Sequence, residues 1–122
     1  MTEARIDAVT DGRSVLLMVS GEIDMANAPS VEAEIAGAIS NQVRVVTIDL
    51  GEVGYLDSAG LRILFGLATR LPILQIDLEV VAPVGSSARR VIDLSGLPRV
   101  AVVTPDNGAT PPTRPPETPD DA

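Results

Sequence analysis

Two short segments of the sequence hold the residues whose types and spacing suit chemistry or recognition. The first, GEIDMANAPS, covers residues 21–30, and the second, GEVGYLDSAGLRIL, covers residues 51–64. In the second segment an acid and a hydroxyl, Asp57 and Ser58, come directly before residues with helical periodicity. The first N–H groups of a helix lack partners and the helix dipole is positive there, so the fold would tolerate a phosphate on Ser58. That phosphate would add about −1.5 to −2 charges beside Asp57 and would therefore change what binds this surface.

The same residues also have purely structural interpretations, which stay open at this point. A Ser or Asp before a helix is commonly its N-cap, and Asp24 in the first segment can form a turn or contact a partner. Asp49, which ends a predicted buried strand, is interpreted as a structural acid. Arg62 and Arg70 are interpreted as solvated charges on a helix face, although Arg62 lies one turn from Ser58 and is a candidate interface residue.

Three residue types that carry much of enzyme chemistry are missing, because the sequence contains no Cys, His or Lys. Without Cys and His there is no thiol redox switch, no imidazole base and no zinc site of the usual kind. The absence of Lys also argues against a receiver-like domain that takes a phosphate on Asp49. A hydrolase with Ser58 as nucleophile would lack a His base, and LDSAG is not the G-x-S-x-G motif. We therefore expect neither an enzyme nor a metal or cofactor site.

Charge and aromatic content narrow the range of partners. The formal charge is −8, from nine basic and seventeen acidic residues. Nucleic acid and anionic membranes are poor partners for such a surface, whereas a basic patch on another protein suits it. Only Tyr55 and Phe65 are aromatic, so there is no platform for stacking bases. The N-terminus lacks an apolar signal-peptide region and no apolar run approaches the ~20 residues that span a bilayer, which predicts a cytoplasmic protein.

Hydrophobic periodicity predicts the elements that position the two segments. Strands are predicted for residues 5–9, 15–19, 44–50, 76–81 and 100–103, and helices for about 27–39, 59–71 and 88–94. Gly21 is expected to end the second strand, Gly51 and Gly54 the third strand, and Pro72 the second helix. The third helix is expected to be capped by Ser86 or Ser87 and to stop at Gly96. The predicted buried face of the second helix consists of Leu61, Leu64, Phe65, Ala68 and Leu71.

The element order β-β-α-β-α-β-α-β indicates an α/β fold, with a mixed sheet opened by a β-hairpin and followed by alternating β/α units. In open sheets of this kind function lies where strands lead into helices, which singles out residues 21–27 and 51–61. Residues 105–122 hold six of the ten Pro and almost no large apolar side chain. We therefore predict one folded domain over residues 1–104 and a disordered, Pro-rich, acidic tail over residues 105–122.

The two segments together, at this spacing and in this β/α order, resemble the STAS domain of anti-sigma factor antagonists. The resemblance covers roughly residues 5–104, and SSARRVIDLSGL at residues 86–97 is similar to the last helix of that family. It implies that Ser58, in the Asp-Ser-x-Gly-Leu motif, is phosphorylated. Many members have a second Ser or Thr after this serine, whereas Ala59 follows it here, so the acceptor is unambiguous. The partner-binding residues implied are Asp24, Met25, Asn27, Asp57, Ser58, Ala59, Gly60, Leu61 and Arg62.

The mechanism that the resemblance implies is partner switching. The unphosphorylated protein would bind a serine-kinase anti-sigma factor and so release the sigma factor. The anti-sigma factor would use ATP and Mg²⁺ to phosphorylate Ser58, and a protein phosphatase would reverse the reaction. An alternative implied by the same resemblance is a STAS domain that serves as a scaffold in a stress-signalling assembly or as a subunit of a lipid transport system.

Overall fold

Strands and helices alternate along the chain after an opening hairpin, in the predicted order. The computed structural model describes residues 3–106. Its strands are β1 (Ala4–Asp11), β2 (Ser14–Ile23), β3 (Val45–Leu56), β4 (Asp77–Val81) and β5 (Val102–Thr104). Its helices are α1 (Ala28–Ala38), α2 (Ser58–Ile73) and α3 (Ser87–Ser95), followed by a short 3₁₀ helix, Leu97–Arg99. The predicted α/β fold with a mixed sheet is therefore confirmed.

The strands lie in the sheet in their sequence order, β1-β2-β3-β4-β5. β1 and β2 are antiparallel and form the opening hairpin, whereas the other three neighbouring pairs are parallel. Parallel neighbours all end at the same edge of a sheet. The segments that follow β2 and β3 are consequently brought side by side.

β2 and β3 continue through their glycines, which corrects the predicted boundaries. β2 continues past Gly21 to Ile23, and β3 continues past Gly51 and Gly54 to Leu56. The β2–β3 register shifts twice, between Met18↔Asp49 and Ser20↔Glu52 and between Gly21↔Val53 and Glu22↔Tyr55. Each shift places one extra residue in β3, which is the pattern of a β-bulge, and glycine in a strand commonly marks such a bulge. Asp49 therefore lies within β3 and not at its end.

One apolar core lies between the sheet and the helices. Alternate residues of the central strands are buried in it, among them Leu17 in β2 and Ile48 in β3. α1 contributes Val31 and Ile35, and α3 contributes Ala88 and Ile92. The alternation arises because successive side chains of a strand point to opposite faces of the sheet.

The second helix differs from its prediction in its length and in its buried face. It runs through Pro72 to Ile73, because a proline in the last turn removes only one backbone hydrogen bond. The turn closes with the N–H of Ile76 donating to the carbonyl of Leu71 (2.9 Å), while Gln75 takes a left-handed φ of 62°. Of the predicted face, Leu61 and Phe65 are only half-buried. The residues of α2 that are buried are Gly60, Ile63, Leu64, Leu67, Ala68 and Leu71.

The third helix has the predicted caps. The Ser86 side chain accepts a hydrogen bond from the N–H of Arg89, and Gly96 has a left-handed φ of 86°. The last strand is shorter and later than predicted, because the unpredicted 3₁₀ helix precedes it. Of the predicted tail, residues 107–122 lie outside the described residues.

Candidate partner-binding site

The two segments singled out by sequence are adjacent at one edge of the sheet. In the parallel register, Ile23 at the end of β2 is the partner of Leu56 at the end of β3. The next residue after β3 extends this contact, since the N–H of Asp57 donates to the carbonyl of Ile23 (3.2 Å). The loop after β2 and the first turn of α2 therefore form one continuous surface.

The loop after β2 is fixed by hydrogen bonds between Asp24 and Asn27. The Asp24 carboxylate accepts from the N–H groups of Ala26 (2.9 Å) and Asn27 (3.2 Å). In return the Asn27 side-chain oxygen accepts from the N–H of Asp24 (3.0 Å), and its amide donates to the carbonyl of Glu22 (2.8 Å). Both residues thus have the turn-forming role that sequence left open for Asp24.

Met25 lies at the tip of this loop with 78% of its surface exposed. Because this large apolar side chain lies mostly in water, contact with a partner would bury its apolar surface without breaking apolar contacts within the chain. Met25 is therefore suited to contact a partner, as its predicted role requires.

Asp57 and Ser58 have different positions at the start of α2. Asp57 is the N-cap, and its carboxylate accepts from the N–H groups of Ala59 (2.8 Å) and Gly60 (3.3 Å). Ser58 is the first residue of the helix and its side chain is exposed. Of the two cap candidates, Asp57 holds the helix start, and the Ser58 hydroxyl is accessible from solvent.

Gly60 and Leu61 take part in packing beneath this surface. Gly60 is buried, and a Cβ atom there would overlap the Leu56 side chain and come within 3.2 Å of Ile23 Cγ2. Glycine is therefore required for α2 to begin this close to the ends of β2 and β3. Leu61 is half-buried against the core. Among the predicted site residues, these two support the surface from below.

Arg62 borders a groove between the first turns of α1 and α2. The groove has a volume of about 230 Å³ and brings Met25, Ala59 and Arg62 together from the two segments. Its remaining lining residues are Ala28, Pro29, Glu32 and Ile63. Sequence reasoning missed the contribution of α1, and the only signal for it was that the first segment runs into α1, which begins at Ala28.

Asp49 is part of the strand structure. Its carboxylate accepts from the N–H of Gly51 (2.8 Å), just beyond the last β3–β4 pair, Asp49↔Val81. The acid therefore satisfies a backbone donor where β4 leaves the sheet, in agreement with its structural interpretation. Arg70 pairs with Glu32 across the two helices at 4.0 Å.

Residues 3–106 lack two further features. This part of the chain contains no group of three or more Cys, His, Asp or Glu side chains arranged to hold a metal ion. None of its helices combines the length and apolar character needed to span a membrane.

Comparison with known proteins identifies the family. The family model of the STAS domain matches residues 5–107. The anti-sigma-F factor antagonist RsfB of Mycobacterium tuberculosis is 35% identical over 82 residues, which are 67% of this chain and 66% of RsfB. BtrV of Bordetella bronchiseptica is 34% identical over 82 residues, which are 67% of this chain and 70% of BtrV.

Solved structures agree with this assignment. An anti-sigma factor antagonist from Mycobacterium paratuberculosis aligns with a TM-score of 0.76 and 32% identity, over 84% of this chain and 86% of that chain. The anti-sigma factor antagonist SpoIIAA in its unphosphorylated form shares the fold, with a TM-score of 0.66 at 21% identity over 81% of this chain and 87% of SpoIIAA. This chain belongs to the STAS domain family.

Proposed function

We propose that this protein is an anti-sigma factor antagonist that binds a serine-kinase anti-sigma factor while Ser58 is unphosphorylated. Binding would release the sigma factor. The anti-sigma factor would use ATP and Mg²⁺ to phosphorylate Ser58, phosphorylation would end binding, and a protein phosphatase would restore it. The chain is then the ligand and the substrate of its partner.

The observation that carries this proposal is the position of Ser58. It is the first residue of α2, it is exposed, and it stands on the surface where the two segments meet. A kinase must reach the hydroxyl oxygen, and here no other element needs to move to permit this. Asp57 already caps the helix, so modification of Ser58 removes no hydrogen bond from the helix start.

Charge explains why a phosphate would end binding without unfolding the chain. The positive end of the α2 dipole favours an anion at Ser58. The same phosphate adds about −1.5 to −2 charges to a surface that already contains Asp24 and Asp57. A partner surface fitted to the unphosphorylated site would have to desolvate this charge, which costs affinity unless the charge is paired.

The similar proteins support the proposed function. RsfB is described as an anti-sigma-F factor antagonist, and the similar chain from Mycobacterium paratuberculosis is an anti-sigma factor antagonist. SpoIIAA has been solved in an unphosphorylated and a phosphorylated form, and both share the present fold. A phosphate on a protein of this fold is therefore compatible with retention of the fold.

The test is a kinase reaction with a matched control serine. The serine-kinase anti-sigma factors of the source organism are incubated one by one with the protein and ATP-Mg²⁺, and phosphate is mapped by mass spectrometry. Ser87 is the control: it is also exposed, also the first residue of a helix, and also followed by Ala after an oxygen-bearing N-cap, Ser86. We expect phosphate on Ser58 and none on Ser87.

Binding measurements complete the test. Ser58→Ala should bind the anti-sigma factor as the wild type does, whereas Ser58→Glu should weaken binding by about tenfold or more and Ser87→Glu should not. Binding that Ser58→Glu leaves unchanged would contradict the switch. Absence of binding and of phosphate with every anti-sigma kinase would favour the alternative of a scaffold or transport subunit.

A further inference from the structure

Arg62 is the cation nearest in sequence to Ser58 on α2, and within residues 3–106 it forms no ion pair with a carboxylate. The acids around it are otherwise engaged. Asp57 and Asp24 accept hydrogen bonds from backbone N–H groups, and Glu32 across the groove pairs with Arg70. The Arg62 guanidinium is exposed at the rim of the groove and available to an anion.

The helix geometry directs Arg62 toward Ser58. Residues four apart on a helix lie on the same side, with Cβ atoms roughly 5–6 Å apart. Side chains of a helix tilt toward its N-terminus, so a side chain as long as that of Arg62 can extend over the turn that begins with Ser58. An acid placed four residues before a base is also the favourable order for such a pair. A phosphate on Ser58 is therefore within reach of Arg62.

We propose that the phosphate of phosphorylated Ser58 pairs with Arg62 and so withdraws this cation from the groove that the partner occupies. This inference rests on the proposed phosphorylation of Ser58. In the unphosphorylated protein, Arg62 stands beside the apolar side chains of Met25 and Ile63. The fitting partner element is an apolar side chain next to a carboxylate, with the carboxylate on Arg62.

Phosphorylation then changes the surface in two ways. It adds negative charge, and it engages Arg62, the groove cation that would attract an acidic residue of the partner. Because Arg62 is already fixed to the same helix as Ser58, the pair forms without movement of the backbone. The phosphorylated site would present a neutralised arginine where the unphosphorylated site presents a free one.

The first experiment does not depend on any kinase. Phosphoserine is incorporated at position 58 of the full chain by genetic encoding, and the phosphate is titrated by ³¹P NMR. In Arg62→Gln the titration midpoint should rise by about 0.2–0.4 pH relative to the unsubstituted phosphoprotein, the size expected for an exposed pair one turn apart. Arg70→Gln makes the same change of charge two turns further along α2 and should leave the midpoint unchanged.

The second experiment measures affinity for the anti-sigma factor that binds the unphosphorylated protein. In both the unsubstituted chain and Arg62→Gln, the loss of affinity caused by phosphoserine is measured. This loss should be about two to five times smaller in Arg62→Gln, because the variant lacks the guanidinium that the phosphate would withdraw from the partner. Equal midpoints for the two arginine variants, or an equal loss of affinity with and without Arg62, would overturn the inference. Failure of every kinase to modify Ser58 would instead overturn the proposed function, while the NMR result would stand.

Discussion

Replacement of Gly60 by alanine tests whether the start of α2 depends on its close contact with the ends of β2 and β3. The added Cβ would overlap the Leu56 side chain and come within 3.2 Å of Ile23 Cγ2, and both neighbours are buried. Overpacking a well-packed core costs about 1–3 kcal/mol. We expect the upper end of this range, since Leu56 and Ile23 are at most 4% exposed. The cavity that they line together with Gly60 measures only about 10 Å³, barely the space of one water molecule.

The gain in helix propensity offsets part of this cost. Alanine is more favourable than glycine within a helix by about 1 kcal/mol, which leaves Gly60→Ala less stable by about 2 kcal/mol. In a domain of this size that loss corresponds to a fall in melting temperature of roughly 10 °C. Gly66 in the same helix is the matched control, because its nearest contact is the movable end of the Arg70 side chain at 3.2 Å.

The measurement is thermal unfolding of the two alanine variants and the wild type, followed by circular dichroism at equal protein concentration. Gly66→Ala should unfold at the wild-type temperature or a few degrees above it. Its free energy of unfolding should rise by about 0.5–1 kcal/mol at most. If Gly60→Ala and Gly66→Ala had the same melting temperature, the close packing of α2 against Leu56 would not be what requires glycine at position 60.

Three further predictions concern the residues around Ser58. Asp57→Ala should lower the free energy of unfolding by about 1 kcal/mol in urea titrations, and Asp57→Asn should retain most of it, because Asn also caps helices. Asp24→Ala should lower it by a similar ~1 kcal/mol, since two loop N–H groups lose their acceptor; an unchanged stability would count against the turn-forming role. Met25→Ala should leave the melting temperature unchanged within about 2 °C but weaken anti-sigma factor binding about tenfold, and calorimetry that finds equal affinities would remove Met25 from the interface.

The order of the elements was predictable because apolar periodicity records which residues face the core. Strand ends were predicted less well, since Gly51 and Gly54 were interpreted as breaks and instead mark two bulges within β3. A glycine in a strand is compatible with an end and with a bulge, and the pairing partner decides between them. The register of β2 against β3 is a tertiary property that sequence periodicity does not contain.

The candidate site, too, could be predicted only in part, because some of its features depend on tertiary structure. The Asp-Ser-x-Gly-Leu motif and the first segment indicated which loops matter, and the parallel β2–β3 pair places those loops together. The distribution of roles within the motif was not predictable, because N-cap and first helical residue can each be Ser or Asp. The contribution of Pro29 and Glu32 to the groove depends on how α1 crosses α2, which only the packed structure specifies.

The first turn of α2 separates residues that hold the structure from residues that face solvent. Asp57 and Gly60 determine where the helix begins, through hydrogen bonds and packing. Ser58 and Arg62 are exposed, and within residues 3–106 the side chain of neither forms an ion pair that the fold requires. A modification confined to the second pair changes the charge of the surface while the first pair continues to fix its shape. For the proposed function this separation matters, because a binding protein that is switched repeatedly must return to the same conformation each time the phosphate is removed.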